Sequence, residues 1–274
     1  GWRILGVSNG KIRLISEEFI GAGTYTDSNR TKYTLKGQKG YINGIEELNK
    51  ISGIFGHGKG AEGAKSITVE DINEITGYDP ETAKDNQGNW NEYGNKVTYT
   101  RGEGTALSSS ATNGQKWSGT HTFNYYDKTN KTFKALTSGS TEITSTYYAY
   151  SAAEFGKNNG TDGTSAVDDI YNLNETYKML FGYDKVGSDN GFRNFTNGKC
   201  AQNYWLVSDC ASTGSDSASW GLRYVGDGDV RGGNYLYGSG GGEGSNSCGV
   251  RPVVSLKSDI SLEWNDTAGE WKIK

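Results

Sequence analysis

Residues 204–256 read YWLVSDCASTGSDSASWGLRYVGDGDVRGGNYLYGSGGGEGSNSCGVRPVVSL, and two kinds of sequence are interleaved in them. Trp205, Leu206, Trp220, Leu222, Val225, Val230, Leu236, Val250, Val253, Val254 and Leu256 are residues that leave water when a sheet packs. Between them, often at every second position, stand Gly, Ser, Asn, Asp, Tyr, Arg and Cys: Tyr224 and Gly226 flank Val225, and Asp229 and Arg231 flank Val230. The run Gly238, Gly240, Gly242, Gly244, Asn246, Cys248 continues the alternation. Successive side chains of a strand point to opposite faces, so this pattern predicts one face that fixes the fold and one that is free to carry other chemistry.

The genetic code sharpens that reading. An asparagine codon randomised at its two adenines yields Asn, Ser, Thr, Ile, Asp, Gly, Ala, Val, Tyr, Cys, Phe, His, Arg, Pro or Leu, and never Lys, Glu, Gln, Met or Trp. Every alternating position named above lies inside the reachable set, and no Lys, Gln or Met occurs between Val207 and Cys248. Glu243 and Trp220 lie outside the set, and both fall between the exchangeable positions. A Gly/Ser-rich loop region has a similar composition without any such mechanism, so the codon pattern needs a second support.

The rest of the chain bounds the possibilities. Its 274 residues, 33% hydrophobic, suffice for one large domain, and we take 1–274 as a single unit. Forty-one glycines against two prolines, and eighteen tyrosines and seven tryptophans against one methionine, indicate many turns and aromatic-packed strands in place of a helical bundle. The net charge of −4 and the lack of a basic stripe argue against a nucleic-acid partner. Lys128, Lys131 and Lys134 read as a solvated strand edge. Three cysteines, Cys200, Cys210 and Cys248, are too few for a disulfide framework and too irregularly spaced for zinc. No apolar run is long enough to span a bilayer. The chain opens at Gly1-Trp2 within an expected strand, which suggests an upstream segment.

Along the chain, Trp2–Val7 and Lys11–Ser16 are apolar-rich and separated by Ser8-Asn9-Gly10, the chemistry of a tight hairpin. Apolar residues at 45, 48, 51, 54 and 55 predict a helix over Tyr41–Phe55. Thr68 to Gly77 predicts a second, with Thr68 as its cap, Glu70 and Asp71 at its positive end and Gly77 as its stop. Between them, the Gly-rich loop Gly56–Gly63 holds His57 and Lys59 but lacks the ending of a phosphate loop. Residues 84–165 are polar and β-rich, with strands expected at Lys96–Arg101, Thr120–Tyr126, Thr132–Leu136 and Ile143–Tyr150 and a turn at Asp127–Asn130. Helical spacing returns over Ala166–Phe181, and Ser261–Lys274 predicts a closing hairpin around Asp266–Gly269.

Catalytic chemistry finds little purchase. His57 and His121 stand in no triad context. The adjacent carboxylates Glu46/Glu47, Glu70/Asp71 and Asp168/Asp169 diverge on a helix surface. Asp227, Asp229 and Glu243 offer oxygen ligands for calcium, but in no EF-hand spacing and partly on exchangeable positions, so we assign neither metal nor cofactor.

Tyr204-Trp-Leu, Trp220-Gly-Leu-Arg223 and Gly249-Val-Arg-Pro-Val-Val-Ser-Leu256 together resemble the carboxy-terminal part of C-type-lectin-like variable proteins of diversity-generating retroelements. The Gly-x-Arg pieces are also similar to the related fold of formylglycine-generating enzymes. GKIRLISEE, YINGIEELNKI and SITVEDINEITGY resemble extracellular regions attached to prepilin-type helices. Trp220, where the family pattern leads us to expect Phe, and the abundance of glycine are departures from it.

The resemblance implies an α+β, C-type-lectin-like (formylglycine-generating-enzyme-like) fold with two or three helices, a β-rich insertion over 84–165 and a variable ligand-display region over 204–256. It implies a hypervariable adhesin or receptor, not an enzyme, diversified by adenine mutagenesis on a bacterial surface and held there by an amino-terminal segment outside this chain. The ligand would be a protein or glycan on another cell or host surface. A phage tail receptor-binding protein of the same fold is the alternative, and a formylglycine-generating-type oxidase using its cysteines is a weaker one. The implied ligand-binding positions are Ser212, Gly214, Ser217, Ser219, Tyr224, Gly226, Asp229, Arg231, Gly233, Asn234, Tyr235, Gly238, Gly240, Gly242, Gly244, Asn246 and Cys248. Tyr224, Arg231 and Tyr235 are the expected anchors, because Tyr and Arg dominate interface energetics. Trp205, Trp220, Arg223 and Arg251 are expected to be scaffold, the arginines bonding buried carbonyls or carboxylates.

Overall fold

Asn9 and Gly10 both hold positive φ, 50° and 71°, and fold β1 (Trp2–Ser8) tightly onto β2 (Lys11–Ser16), with Ser8 opposite Lys11. The computed structural model describes residues 1–17, 25–27, 30–79, 94–101, 116–119, 122–146, 179–181, 203–214, 216–226, 229–232, 235–267 and 269–274. In them the chain is a mixed α+β structure, mostly strands, arranged as several small and largely antiparallel sheets.

Next come β3 (Tyr25–Asp27), β4 (Arg30–Lys36) and the helix α1 (Gly37–Gly53), which runs into a 3-10 turn over Ile54–His57. The helix starts four residues before the expected Tyr41. Its buried stripe is Gly37, Gly40, Tyr41, Gly44, Leu48 and Ser52, so of the expected apolar positions only Leu48 is buried, Ile45, Ile51 and Phe55 are half-buried and Ile54 is exposed. The expected loop Gly56–Gly63 is corrected in its second half, where β5 (Ala61–Ser66) begins and pairs with a distant partner. Then α2 (Val69–Thr76) starts with a complete capping box: Thr68 Oγ1 accepts the Asp71 amide at 3.0 Å, and Asp71 Oδ2 accepts the Thr68 amide at 2.9 Å. Gly77, at φ 70°, ends it in the left-handed conformation.

The middle of the chain supplies β6 (Lys96–Arg101), β7 (Lys116–Gly119), β8 (Asn124–Asp127), β9 (Thr132–Ala135) and β10 (Ser140–Thr144). Thus the strand expected at Thr120–Tyr126 is shifted toward the turn, and the one at Ile143–Tyr150 begins earlier; 120–121 and 147–150 lie outside the described residues. The turn after β8 is closed by Asp127 Oδ1, which accepts the amides of Thr129 and Asn130. The helix expected over Ala166–Phe181 lies outside the described residues apart from 179–181, which are helical and buried.

The carboxy-terminal third contributes β11 (Tyr204–Thr213), β12 (Ala218–Gly226), β13 (Asp229–Arg231), β14 (Tyr235–Gly238), β15 (Ser245–Cys248), β16 (Pro252–Leu256), β17 (Leu262–Asn265) and β18 (Glu270–Ile273). β16 is a central strand, inserted between β2 and β5, so the GVRPVVSL segment ties the late chain to the first 66 residues. Pro252 is its first residue, a position in a sheet that tolerates a missing N–H.

The sheet of β11, β12, β13 and β14 stands between two hydrophobic clusters. Tyr204, Leu206, Val225 and Val230 join Leu5, Ile15, Ile72 and Val253 on one side. Trp205, Val207, Trp220, Leu222 and Leu236 join Leu35, Leu48, Tyr99 and Phe123 on the other. All eleven apolar residues assigned to the scaffold from the sequence (Trp205, Leu206, Trp220, Leu222, Val225, Val230, Leu236, Val250, Val253, Val254 and Leu256) are buried. Tyr99, Phe123, Leu136 and Ile143 come from the β-rich middle, which therefore shares a core with β11 and β12.

Candidate functional site

β12 organises the site. Ser212 lies opposite Ser219, and Ser219 opposite Gly238, forming one row across β11, β12 and β14. The turn between β11 and β12 is closed at the same end by Gly214 N–H donating to Ser217 O at 2.7 Å. Because β14 runs antiparallel to β12, its own turn reaches this end too, closed by Gly238 N–H to Gly242 O at 2.9 Å. The structure thus gathers Ser212, Gly214, Ser217, Ser219, Gly238, Gly240 and Gly242, with Ser217, Gly240 and Gly242 exposed.

Tyr224 and Arg231 pair near the other end of β12, as do Gly226 and Asp229 in backbone register. At about 3.3 Å per residue, the five residues from Ser219 to Tyr224 span roughly 16 Å. Tyr224, Arg231 and Tyr235 are half-buried. Asn246 and Cys248 sit on β15, paired with Leu35 and Tyr33 of β4 in a separate sheet. Gly233 and Asn234 lie outside the described residues.

The expectation of one shared outward face is therefore corrected. Ser219 and Tyr224 fall on opposite faces of β12, as the period of two requires. Cys248 is buried, with Sγ accepting from Asn246 Nδ2 at 3.3 Å, and Gly226 is buried as well. The second face of β11 and β12 is packed as well: Cys210 and Gly221 are paired and buried there, Arg223 is buried beside them, and Tyr204 and Val225 farther along belong to the first hydrophobic cluster.

Space sorts the glycines further. A Cβ placed on Gly240 or Gly242 meets nothing within 4 Å, and on Gly238 only ordinary contacts at 3.8 Å and beyond. Gly241 between them has φ +86°, which disfavours any side chain. A Cβ on Gly244 collides with the Tyr235 carbonyl oxygen, and one on Gly226 meets the Tyr224 ring at 2.5 Å.

The residues that separate the open positions have fixed duties. Ser239 is buried; its N–H donates to Ala218 O at 2.8 Å and its hydroxyl accepts Ala218 N–H at 3.0 Å. Glu243, one of the two departures from the asparagine-codon set, places its carboxylate where a Cβ on Gly37 would meet it at 2.7 Å. That is the first residue of α1, whose positive end has no acidic group of its own in its first turn. Trp220, the other departure, is buried against the Phe133 ring, with centroids 5.3 Å apart. Their exclusion from the codon set was the available signal. Nothing in the sequence pointed to Ser239.

Arg251 donates through Nε and Nη2 to Ser16 O at 3.0 and 2.8 Å and through Nη1 to Met179 O at 2.7 Å, as expected of a scaffold arginine. Its guanidinium lies over the Tyr204 ring, 4.9 Å from the centroid. Burial pushes the Tyr204 hydroxyl up to about 12, with Arg251 pulling the other way. Asp209, at the edge of a β11 irregularity, has its carboxyl raised by partial loss of hydration, with Lys128 and Arg223 pulling the other way. Burial, followed by Asp209, raises the phenols of Tyr41 and Tyr126.

Cys210 and Cys248 are buried; Cys210 Sγ donates to Gly232 O at 3.3 Å, and Cys200 lies outside the described residues. Among the described residues no group of three or more His, Cys, Asp or Glu is arranged to hold a metal ion, and Asp227 lies outside them. Among the described residues no helix is long and apolar enough to cross a membrane. Comparison with protein-family models, with curated proteins and with solved structures gives no match to this chain.

Proposed function

We propose that this chain is a hypervariable ligand-binding protein of C-type-lectin-like fold, an adhesin or receptor displayed on a bacterial surface, whose carboxy-terminal region is diversified by adenine mutagenesis. The observation that carries the proposal is the turn after β14. Gly240 and Gly242, both reachable from an asparagine codon, have open space around them, while Ser239 is buried, Gly241 holds a positive φ and Glu243 sets its carboxylate beside Gly37. On the strands the apolar scaffold residues are buried, but so are Gly226 and Cys248, so the open positions gather at the turns. The ligand-facing part centres on the end of the sheet formed by Ser212, Gly214, Ser217, Ser219, Gly238, Gly240 and Gly242. Tyr224, Arg231 and Tyr235 form a second, half-buried group. Small residues adapt to many partners, and a Tyr drawn at the open positions adds contact area at low rotamer cost.

The test is the DNA beside the gene. A near-identical copy of the segment encoding 204–256, differing only at adenines and accompanied by a reverse transcriptase gene, is the expected finding. A flank without such a copy removes the proposal.

A further inference from the structure

We propose that Tyr99 and Asn124 are positioning residues that clamp the backbone of the two turns carrying exchangeable side chains. The word exchangeable rests on the reading above; the clamp itself does not. Both residues come from the β-rich middle of the chain, which is thereby given a task.

Tyr99 is buried on β6, its ring stacked on Phe123 with centroids 4.2 Å apart. Its hydroxyl lies 2.8 Å from Gly214 O and 2.7 Å from Ser217 O, the two carbonyls that frame the turn between β11 and β12. Burial raises this phenol above its ordinary value, so it remains a donor across the neutral range. One proton is shared between two acceptors, which draws both carbonyls toward a single point. Asn124, the first residue of β8, donates its backbone N–H at 2.7 Å and its Nδ2 at 3.0 Å to Ser239 O in the turn after β14. Ser239 in turn bonds Ala218, where β12 begins, so the two turns are joined.

Each of these bonds ends on a main-chain atom or on Ser239. None uses a side chain of Gly214, Ser217, Gly238, Gly240 or Gly242. Backbone clamping of this kind lets those side chains change while the turns keep their shape.

Amide hydrogen exchange of the full chain, followed residue by residue by NMR, tests the clamp without any ligand. Tyr99→Phe keeps the stacked ring and removes the shared proton. A lost hydrogen bond of ordinary net strength corresponds to about fivefold to tenfold, so exchange at Gly214 and Ala218 is expected to rise by that factor, with β2 and β16 amides unchanged. Asn124→Ala keeps the backbone donor, and exchange at Gly238 and Ser239 is expected to rise by a smaller factor, about threefold. Unchanged exchange at these amides, or a uniform rise through the whole chain, overturns the proposal. In a second arm, Ser217→Tyr and Gly242→Tyr are placed together in the parent and in Tyr99→Phe. Main-chain shifts of 213–218 that stay fixed in the parent and disperse in the variant support the clamp, and equal dispersion in both overturns it. A missing template copy in the flanking DNA would leave this result standing, and unchanged exchange would leave the display reading standing.

Discussion

The pair β11–β12 and the closing hairpin β17–β18 begin from the same kind of sequence and end in different environments. Both alternate. In the hairpin, Leu262, Trp264, Trp271 and Ile273 share one face and Glu263, Asn265 and Lys272 belong to the other, and Trp264 and Trp271 remain 47% and 54% exposed. In β12 the apolar residues alternate with Ser, Gly and Arg, whereas β11 opens with four consecutive buried apolar residues, Tyr204–Val207, and the second face is largely closed over. Alternation fixes which residues share a face, but whether that face meets water depends on what lies against it. Charged residues keep a face wet. Small ones permit either outcome, and here the elements on that side, β1, β2 and α2, are distant in sequence.

The largest effect that would sharpen this contrast comes from tryptophan truncation. Trp205 is fully buried and donates Nε1–H to Tyr33 O at 2.8 Å. Trp205→Ala should cost about 3–5 kcal/mol in urea unfolding, whereas Trp264→Ala should cost less than about 1 kcal/mol. Equal losses would erase the distinction between the two regions.

Alkaline pH probes the opposite face of β11. Tyr204 donates to Leu180 O at 2.7 Å and holds its proton up to about 12, against an ordinary 10.0 in the unfolded chain. The folded state then retains a proton that the unfolded state loses, so the contribution is intact below pH 10 and falls away as pH rises toward 12. The expected loss is on the order of 2–3 kcal/mol across that window, measured by unfolding at fixed pH values. Tyr204→Phe should make the slope shallower by that amount, the rest coming from Tyr41, Tyr99 and Tyr126, whose phenols burial also raises; an unaltered slope would mean that the face is open to water.

Glycine substitutions separate closed from open positions within residues 204–256. Gly244→Ala forces a Cβ onto the Tyr235 carbonyl and should cost about 1–3 kcal/mol. Gly242→Ala should change stability by no more than about 0.5 kcal/mol, since nothing lies within 4 Å of its Cβ. Thermal unfolding of the two variants side by side is sufficient, and a reversed order would break the assignment.

Legibility followed the range of the interactions. The Asn9-Gly10 turn, the Thr68–Asp71 box and the Asp127 turn are built within a few residues and could be read directly. The tail hairpin was also legible, its strands separated by only a short turn. Burial of the alternating apolar residues was legible too, because hydrophobicity needs no partner to be named. Pairings of β5 with β16 and of β4 with β15 were not, since Gly63 and Ser255 announce nothing about each other. Helix α1 starts early at Gly37, at φ +59°, beside a Glu243 carboxylate 206 positions away in sequence, and no local spacing encodes that contact. The division of candidate positions between two ends and two faces was hidden for the same reason. Register shifts in β11 and β14 break a period that looks continuous in the sequence.

The most direct measurement is deep sequencing of the segment encoding 204–256 across a growing population that carries the locus. Substitutions should concentrate at Ser212, Gly214, Ser217, Ser219, Gly238, Gly240 and Gly242, be limited to small residues at Gly226 and Cys248, and spare Trp205, Trp220, Ser239, Gly241 and Glu243. Substitutions spread evenly over buried and open positions, or a population with none in the open ones, would contradict the account.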